Sequence, residues 1–265
     1  MQMANVQVQQ PHPATELGAD NCAPARFLAW DSEFFGHRIA RVTAPRLNTD
    51  TTAQLISWCS SEQIECLYLL ASPDDVNTIR LAEENGFRFV DIRMTYERSL
   101  VAQECQPEGI RIVKPTDIPY LKRLAGQSFA GSRFYNDSHF AKQKCDELYA
   151  TWLERSCSGY ASAVLIAERE DRPAGFITCS LQGSNEGAIG LLAVDREFQG
   201  TGVGRALVTA ALRYFFDHEM TRATVVTQGS NTASQRLYQR CGFVARSVQI
   251  WYHRWSVRPA NESMC

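Results

Sequence analysis

The sequence predicts an α/β (α+β) fold of two lobes, each built on a mixed, mainly antiparallel sheet flanked by helices. Three observations carry this. Helical and strand patterns alternate along the chain. Three short β patterns, Ser162–Glu168, Gly175–Leu181 and Ile189–Val194, are joined by connections brief enough for antiparallel hairpins. A shift of 156 residues lays Arg80-Leu81-Ala82 on Arg236-Leu237-Tyr238 and Gly86-Phe87 on Gly242-Phe243. It also lays Ile92, Met94 and Tyr96 on Val248, Ile250 and Tyr252. Each half therefore ends in a helix, a Gly-Phe turn and a long strand.

Taken in order, Met1–Ala25 has no Lys or Arg and no apolar run, which predicts a disordered tail and no secretory signal. Arg26–Trp30 reads as a strand. The aromatic stretch Trp30-Asp31-Ser32-Glu33-Phe34-Phe35-Gly36 reads as a turn, and Arg38–Thr43 as a second strand. Asn48, Thr49 and Asp50 offer N-caps for a helix to Gln63. Leu67–Ala71 is a buried-strand pattern. Pro73 at a first helical position, followed by Asp74 and Asp75, starts a helix that ends at Asn85-Gly86. Phe87–Leu100 is a long strand with Phe87, Phe89, Ile92, Met94 and Tyr96 on its apolar side. These residues give a partial first lobe over 26–100, and polar residues 101–109 a linker.

The second lobe is expected over 110–257. It opens with a strand at Ile110–Val113 and a helix capped by Thr116-Asp117 and running to Phe129. An irregular aromatic stretch, Ser132–His139, precedes a helix at Phe140–Arg155. The three β patterns follow, turning at Arg172-Pro173 and at Gly183-Ser184-Asn185. The chain closes with a helix from Gly202 to Asp217, a strand at Ala223–Thr227, a helix at Thr232–Arg240 and a strand at Phe243–Trp255.

Composition removes several classes. Of 265 residues, 45% are hydrophobic and 21% charged, and the net charge is -2. That balance gives no reason to expect nucleic acid or an anionic membrane as partner. No apolar stretch approaches the ~20 residues of a membrane helix. Nine cysteines, an odd number without C-x-x-C spacing, point to reduced thiols and a cytoplasmic setting. His12, His37, His218 and His253 have no metal-ligand spacing, so no metal is expected.

The chemistry centres on Gln199-Gly200-Thr201-Gly202-Val203-Gly204, between the Ile189–Val194 strand and a helix whose buried stripe is Val203, Leu207, Ala210, Ala211 and Tyr214. Backbone N–H groups at such a helix start, with the dipole behind them, suit a phosphate or pyrophosphate. A P-loop is excluded because no Lys-Ser or Lys-Thr follows the glycines. A dinucleotide turn is excluded because the third glycine comes one residue early and the next strand ends Thr227-Gln228-Gly229 without an acid. A purely structural glycine loop remains open on the glycines alone.

The stretch satisfies Q/R-x-x-G-x-G/A, and Asn231, Ser234, Leu237, Tyr238, Gly242 and Phe243 satisfy N-x-x-[AS]-x-x-[LF]-Y-x-x-x-G-F. Linked by a strand, the two motifs resemble those of the GNAT N-acetyltransferase superfamily. The aromatic Trp30–Gly36 turn and the two-lobed layout are similar to the nucleotide-sugar N-acyltransferases of the TDP-fucosamine (dTDP-4-amino-4,6-dideoxygalactose) type. The resemblance implies two GNAT-like lobes, the first a degenerate partial copy, and a place in O-antigen biosynthesis. It implies acetyl-CoA, or another short acyl-CoA, as co-substrate and a nucleotide sugar as acceptor. It assigns the acyl-CoA arm to the main chain of Leu192, Ala193 and Val194, with Asn231 helping. The diphosphate falls to Gln199, Gly200, Thr201, Gly202, Val203, Gly204 and Arg205.

Tyr238 is the expected general acid, since a phenol of pKa ~10 is protonated at neutral pH and can donate to a leaving thiolate. The bland alternative is a core tyrosine. Acceptor candidates are Trp30, Phe34 and Phe35, with Arg133 for a diphosphate, Phe134 or Tyr135 for stacking, and His139 as a base. Other small amines, antibiotics or proteins stay open as acceptors, as does a 3-hydroxybutanoyl-CoA donor. A non-catalytic cofactor-binding or scaffolding module is the contrasting class. The aromatic last strand, with Trp251, Tyr252 and Trp255, fits either a homodimer or the join between lobes.

Overall fold

The computed structural model describes residues 23–44, 46–102 and 107–256. The tail up to residue 22 and the middle of the expected linker lie outside them. The chain forms two compact units. The larger holds Arg93–Val248; the smaller holds the described residues up to Ile92 together with those from Gln249 on.

In the smaller unit, β1 (Ala25–Phe27) pairs antiparallel with β2 (Ile39–Val42), and β2 pairs parallel with β3 (Cys66–Ala71). The parallel step needs a crossover, which α2 (Thr49–Ser61) supplies. On the other side of β3 lies the end of β10 (Val244–Trp255), antiparallel from Ile250↔Ala71 to Trp255↔Cys66. Leu55, Cys59, Leu67, Leu69, Leu81, Phe87 and Tyr252 are buried together in its core.

In the larger unit the sheet order is β4 (Arg88–Ser99), β9 (Arg222–Gln228), β8 (Glu186–Val194), β7 (Arg172–Gln182), β6 (Ala163–Arg169) and β5 (Ile110–Ile112). Only β8 and β9 are parallel there, bridged by α6 (Val203–Asp217). Val203, Leu207, Ala210 and Ala211 of the expected stripe are buried, and Val208, Leu212 and Phe215 broaden it. The mixed, mainly antiparallel sheets flanked by helices agree with the fold class read from the sequence. Among the described residues no helix is long and apolar enough to cross a membrane.

The offset of 156 reaches beyond the residue matches. Helix α3 (Val76–Glu84) corresponds to α7 (Thr232–Arg240), and β4 to β10, end for end at that spacing. Both helices run into a left-handed glycine, Gly86 at φ 81° and Gly242 at φ 80°. The pairing registers agree as well. Met94↔Thr227 and Tyr96↔Val225 match Ile250↔Ala71 and Tyr252↔Leu69. Each long strand thus pairs with the middle strand of the other half.

Local expectations fail at several points. Trp30–Gly36 is not a turn but the body of helix α1 (Ala29–Phe35), closed by Gly36 at φ 74°. Seven residues are too few for a 3.6 period to show. Helix α3 begins at Val76, because the Asp75 carboxylate accepts from Thr78 N at 3.1 Å and caps it there. The β6–β7 hairpin turns at Glu170 and Asp171, both at positive φ, and Arg172 and Pro173 lie in β7. In β4, Phe89 and Ile92 are exposed, and Val90, Asp91 and Tyr96 are the buried residues. Thr116-Asp117 does not cap through a side chain. A single 3₁₀ turn leads into α4 (Ile118–Ser128), and the Asp117 carboxylate instead receives Arg111 and the Lys114 amide.

Candidate active site

The glycine turn is held from behind. Asp195, the residue after β8, accepts a hydrogen bond from the Tyr120 hydroxyl of α4 and another from Glu197 N at 3.0 Å. Thr201 Oγ1 donates to the Phe198 carbonyl at 2.7 Å. Gly200 and Gly202 sit at φ 81° and 92°, in the left-handed region that glycine enters without a Cβ penalty. Gly202 is the N-cap of α6 and offers it no side chain, and the first turn holds no acid. The first-turn amides, at Val203, Gly204 and Arg205, have no helical acceptors of their own. A helix start of this kind is a candidate cradle for an anion. A Cβ at Gly204 would lie 3.3 Å from Leu237 Cδ2 and 3.7 Å from Val194 Cγ2. The cradle, the end of β8 and helix α7 therefore meet at this glycine.

Strand β8 parts from β9 beside the cradle. Their parallel ladder runs from Glu186↔Arg222 to Ile189↔Val225 and stops, while both strands continue. On its other edge β8 stays paired with β7. Asp195 N donates to the Ala174 carbonyl at 2.9 Å, so by alternation the Ala193 main chain also faces β7. The Ala193 carbonyl crowds Gly175, where a Cβ would come within 2.6 Å of it. Leu192 and Val194 then carry their N–H and C=O groups on the side that β9 has left. Gln199 Nε2 occupies the Val194 carbonyl at 3.0 Å. Of the three expected backbone positions, Ala193 is committed to the sheet. Gln199 acts on the strand end.

Helix α7 carries Tyr238. Asn231 is its N-cap, with Oδ1 accepting from Ser234 N at 3.0 Å, so that oxygen is spent on the helix. Tyr238 is 0% exposed, packed 5.6 Å from Phe243 and 6.4 Å from Tyr96 between ring centroids. Its hydroxyl has no hydrogen-bond partner among the described residues, whereas the Tyr96 hydroxyl donates to Gln235 Oε1 at 3.3 Å. An unmet buried hydroxyl costs roughly 1–3 kcal/mol. Burial, with the Cys241 thiol adding to it, holds the phenol well above its ordinary pKa, so it enters any reaction protonated.

The acceptor candidates fall on two elements. In the smaller unit, Trp30 and Phe34 stack at 5.1 Å and 17° on α1, while Phe35 is buried. In the larger unit, Arg133, Phe134, Tyr135 and His139 share the loop between α4 and α5 (Lys142–Arg155). Phe134 does not serve as a stacking platform. It is 1% exposed, and its ring is taken up by Arg133 at 4.2 Å, Phe140 at 5.6 Å and Trp152 at 6.3 Å. The Tyr135 hydroxyl donates to Asp146. His139 Nδ1 lies 2.8 Å from the buried Asp137 carboxylate, and its ring is largely exposed.

Two residues escaped sequence reasoning. Arg93 lies on β4 opposite Gln228, at the end of β9, and is half-buried. Burial first, and the nearby Arg133 charge second, bring its pKa down to about 10. The signal was the alternation Arg93, Thr95, Glu97 against Met94 and Tyr96. Thr178, on β7, is the other, and no motif marks it. Among the described residues no cluster of His, Cys, Asp or Glu could hold a metal ion.

Known proteins resemble the chain in sequence and in fold. Residues 131–243 match the family model described as Acetyltransferase (GNAT) family. The chain is 27% identical over 234 residues to the dTDP-fucosamine acetyltransferase of Escherichia coli O6:H1, covering 86% of this chain and 96% of that one. It is 26% identical over 148 residues to the spore coat polysaccharide biosynthesis protein SpsD of Bacillus subtilis, spanning 51% of that protein. It is 34% identical over 95 residues to the mycothiol acetyltransferase of Thermobispora bispora, spanning 32% of it. A GCN5-related N-acetyltransferase from Sphaerobacter thermophilus shares the fold, with a TM-score of 0.63 at 16% identity, over 89% of this chain and 76% of that one. A tandem GNAT protein from the clavulanic acid pathway does so at 0.55 and 14%, over 84% and 77%. Residues 131–243, which hold the glycine turn, the parted strand pair and Tyr238, form a GNAT acetyltransferase domain, and the chain is an acyl-CoA-dependent N-acyltransferase.

Proposed function

We propose that the enzyme transfers an acetyl group from acetyl-CoA to the amine of a dTDP-linked dideoxyamino sugar. The observation that carries the acceptor is the likeness to the E. coli dTDP-fucosamine acetyltransferase, which runs through both units and covers nearly all of that protein. The match to a polysaccharide-biosynthesis protein points the same way. The first unit, on this reading, is a degenerate copy of the second that has kept no cofactor cradle.

The diphosphate of the acyl-CoA rests on the amides from Gly200 to Arg205, with Thr201 shaping the turn. The pantetheine arm lies along β8, bonding to Leu192 and Val194 where β9 has parted from it, and Asn231 borders it. The neutral amine attacks the thioester carbonyl carbon directly. The C–N bond forms, the C–S bond breaks, and the sulfur takes the Tyr238 proton while the amine nitrogen releases its own. His139, oriented by Asp137, is a candidate to receive that proton. Arg93 and Arg133 supply positive charge for a nucleotide diphosphate. The setting is cytoplasmic.

The test is thiol release from acetyl-CoA with dTDP-, UDP- and GDP-linked amino sugars as acceptors. The expected result is turnover strongest with a dTDP-amino sugar. Turnover confined to polyamines or aminoglycosides would overturn the sugar assignment and leave the acyltransferase intact.

A further inference from the structure

The parting of β8 from β9 has a local cause. The β7–β8 register shifts between Ile177 and Cys179, so Gly190 and Leu191 together stand opposite the single residue Thr178. This is a β-bulge, which kinks a strand and leaves a main-chain group without its ladder partner. Here the stranded group is the Leu191 amide. It donates to Thr178 Oγ1 at 2.7 Å, in a site where Thr178 is 3% and Leu191 1% exposed. The bulge falls one residue after the last β8–β9 pair, Ile189↔Val225. Beyond it lie Leu192 and Val194, whose main-chain groups face the parted edge, with Ala193 between them still paired to β7.

Two further facts make the hydroxyl specific. A Cβ at position 190 would lie 2.3 Å from Thr178 Oγ1, so threonine at 178 and glycine at 190 form a matched pair. The bulge also borders a cavity of about 30 Å³ that Trp152, Ser156 and Tyr160 line with Thr178, Gly190 and Leu191.

We infer that Thr178 is a positioning residue for acyl-CoA: its hydroxyl locks the Gly190–Leu191 bulge and so sets the Leu192 and Val194 main chain to receive the pantetheine arm. The inference rests on the acyl-CoA part of the proposed function and is independent of the sugar.

The experiment is CoA binding by calorimetry, run beside thermal unfolding, on the full chain and on Thr178→Val and Thr178→Ser. Thr178→Val keeps the shape and removes the acceptor, and it is expected to weaken CoA binding about 10- to 100-fold, the scale of an ångström-level displacement. Thr178→Ser keeps the oxygen and should stay within about threefold of wild type. A Thr178→Val protein that melts lower yet binds CoA as wild type does overturns the inference, since that is a structural role alone. So does a serine variant that binds as weakly as valine. Where Thr178→Val does not fold, Gly190→Ala displaces the hydroxyl from the opposite side and is read the same way. A wild-type chain that fails to bind CoA overturns the acyl-CoA reading and this inference with it.

Discussion

The two halves build the same joint from different residues. In each, a helix ends at a left-handed glycine, and the following phenylalanine amide bonds back to the helix. Phe87 N donates to the Ala82 carbonyl and Phe243 N to the Tyr238 carbonyl, each at 3.0 Å. Position 82 is a buried methyl where position 238 is a buried phenol. The helix starts differ in the same sense. In the smaller unit, Asn48 Oδ1 accepts from Thr51 N and Thr51 Oγ1 from Asn48 N, both at 2.8 Å. The Leu47 amide is taken by Thr78 Oγ1, also at 2.8 Å, and Asp50 sits in the first turn. In the larger unit Gly202 leaves the corresponding end of α6 without a side-chain cap. One half caps its helix start with its own side chains, and the other leaves it without a side-chain cap. The shared architecture requires neither the tyrosine nor the bare helix end, which the proposed function assigns to acyl-CoA chemistry.

The largest test of that contrast is Tyr238→Phe. Because the joint forms without a hydroxyl and the phenol's own is buried without a partner, this change should leave the melting temperature at or above wild type. It should lower kcat by ~10²–10⁴-fold with little change in the acetyl-CoA KM. A near-normal kcat would remove Tyr238 from the reaction. The raised pKa of the buried phenol has a sign of its own. In the unfolded chain the group ionises near pH ~10, and in the folded chain only above that. Its contribution to stability is therefore complete below pH ~10 and is lost as pH rises toward the folded value. Denaturant titrations of wild type and Tyr238→Phe should run parallel up to about pH 10 and diverge above it to the disadvantage of wild type. The kcat/KM profile should show no fall from this group below about pH 10.

Next in size is giving the open helix the cap of the closed one. Asparagine tolerates the left-handed region, so Gly202→Asn should fold. Its side chain would compete for first-turn amides, and the acetyl-CoA KM should rise roughly 10-fold while kcat at saturating donor holds. An unchanged KM would place the diphosphate elsewhere. The smallest effect is the converse. Asn48→Ala should cost about 1 kcal/mol of stability, read by chemical denaturation, with both kinetic constants unaltered.

What the sequence made legible was what spacing and backbone freedom encode. The glycines of the cradle, the N-cap of α7 and the paired Gly-Phe turns sit at positions where few residues serve. Helix α1 was missed because its seven residues give the period no room. The Glu170-Asp171 turn was missed because neither residue advertises positive φ. Phe134 read as a ligand platform because nothing local shows that a ring is enclosed by residues 6 and 18 positions further on. Arg93 and Thr178 act across strands, Arg93 opposite Gln228 and Thr178 on the Leu191 amide, and such neighbours exist only once the sheet has formed.

The exchange of long strands between the halves bears on how the chain matures. Residues 250–255 complete the sheet of the smaller unit by pairing with 66–71, roughly 180 residues earlier, and contacts that distant are slow to form. During synthesis, β3 has no antiparallel partner until residues 250–255 have emerged, and its open edge must meanwhile be kept from other chains. A cut within 101–109 would leave β9 and β3 each without its long partner. The two halves are therefore expected to be rescued by co-expression and not by separate refolding.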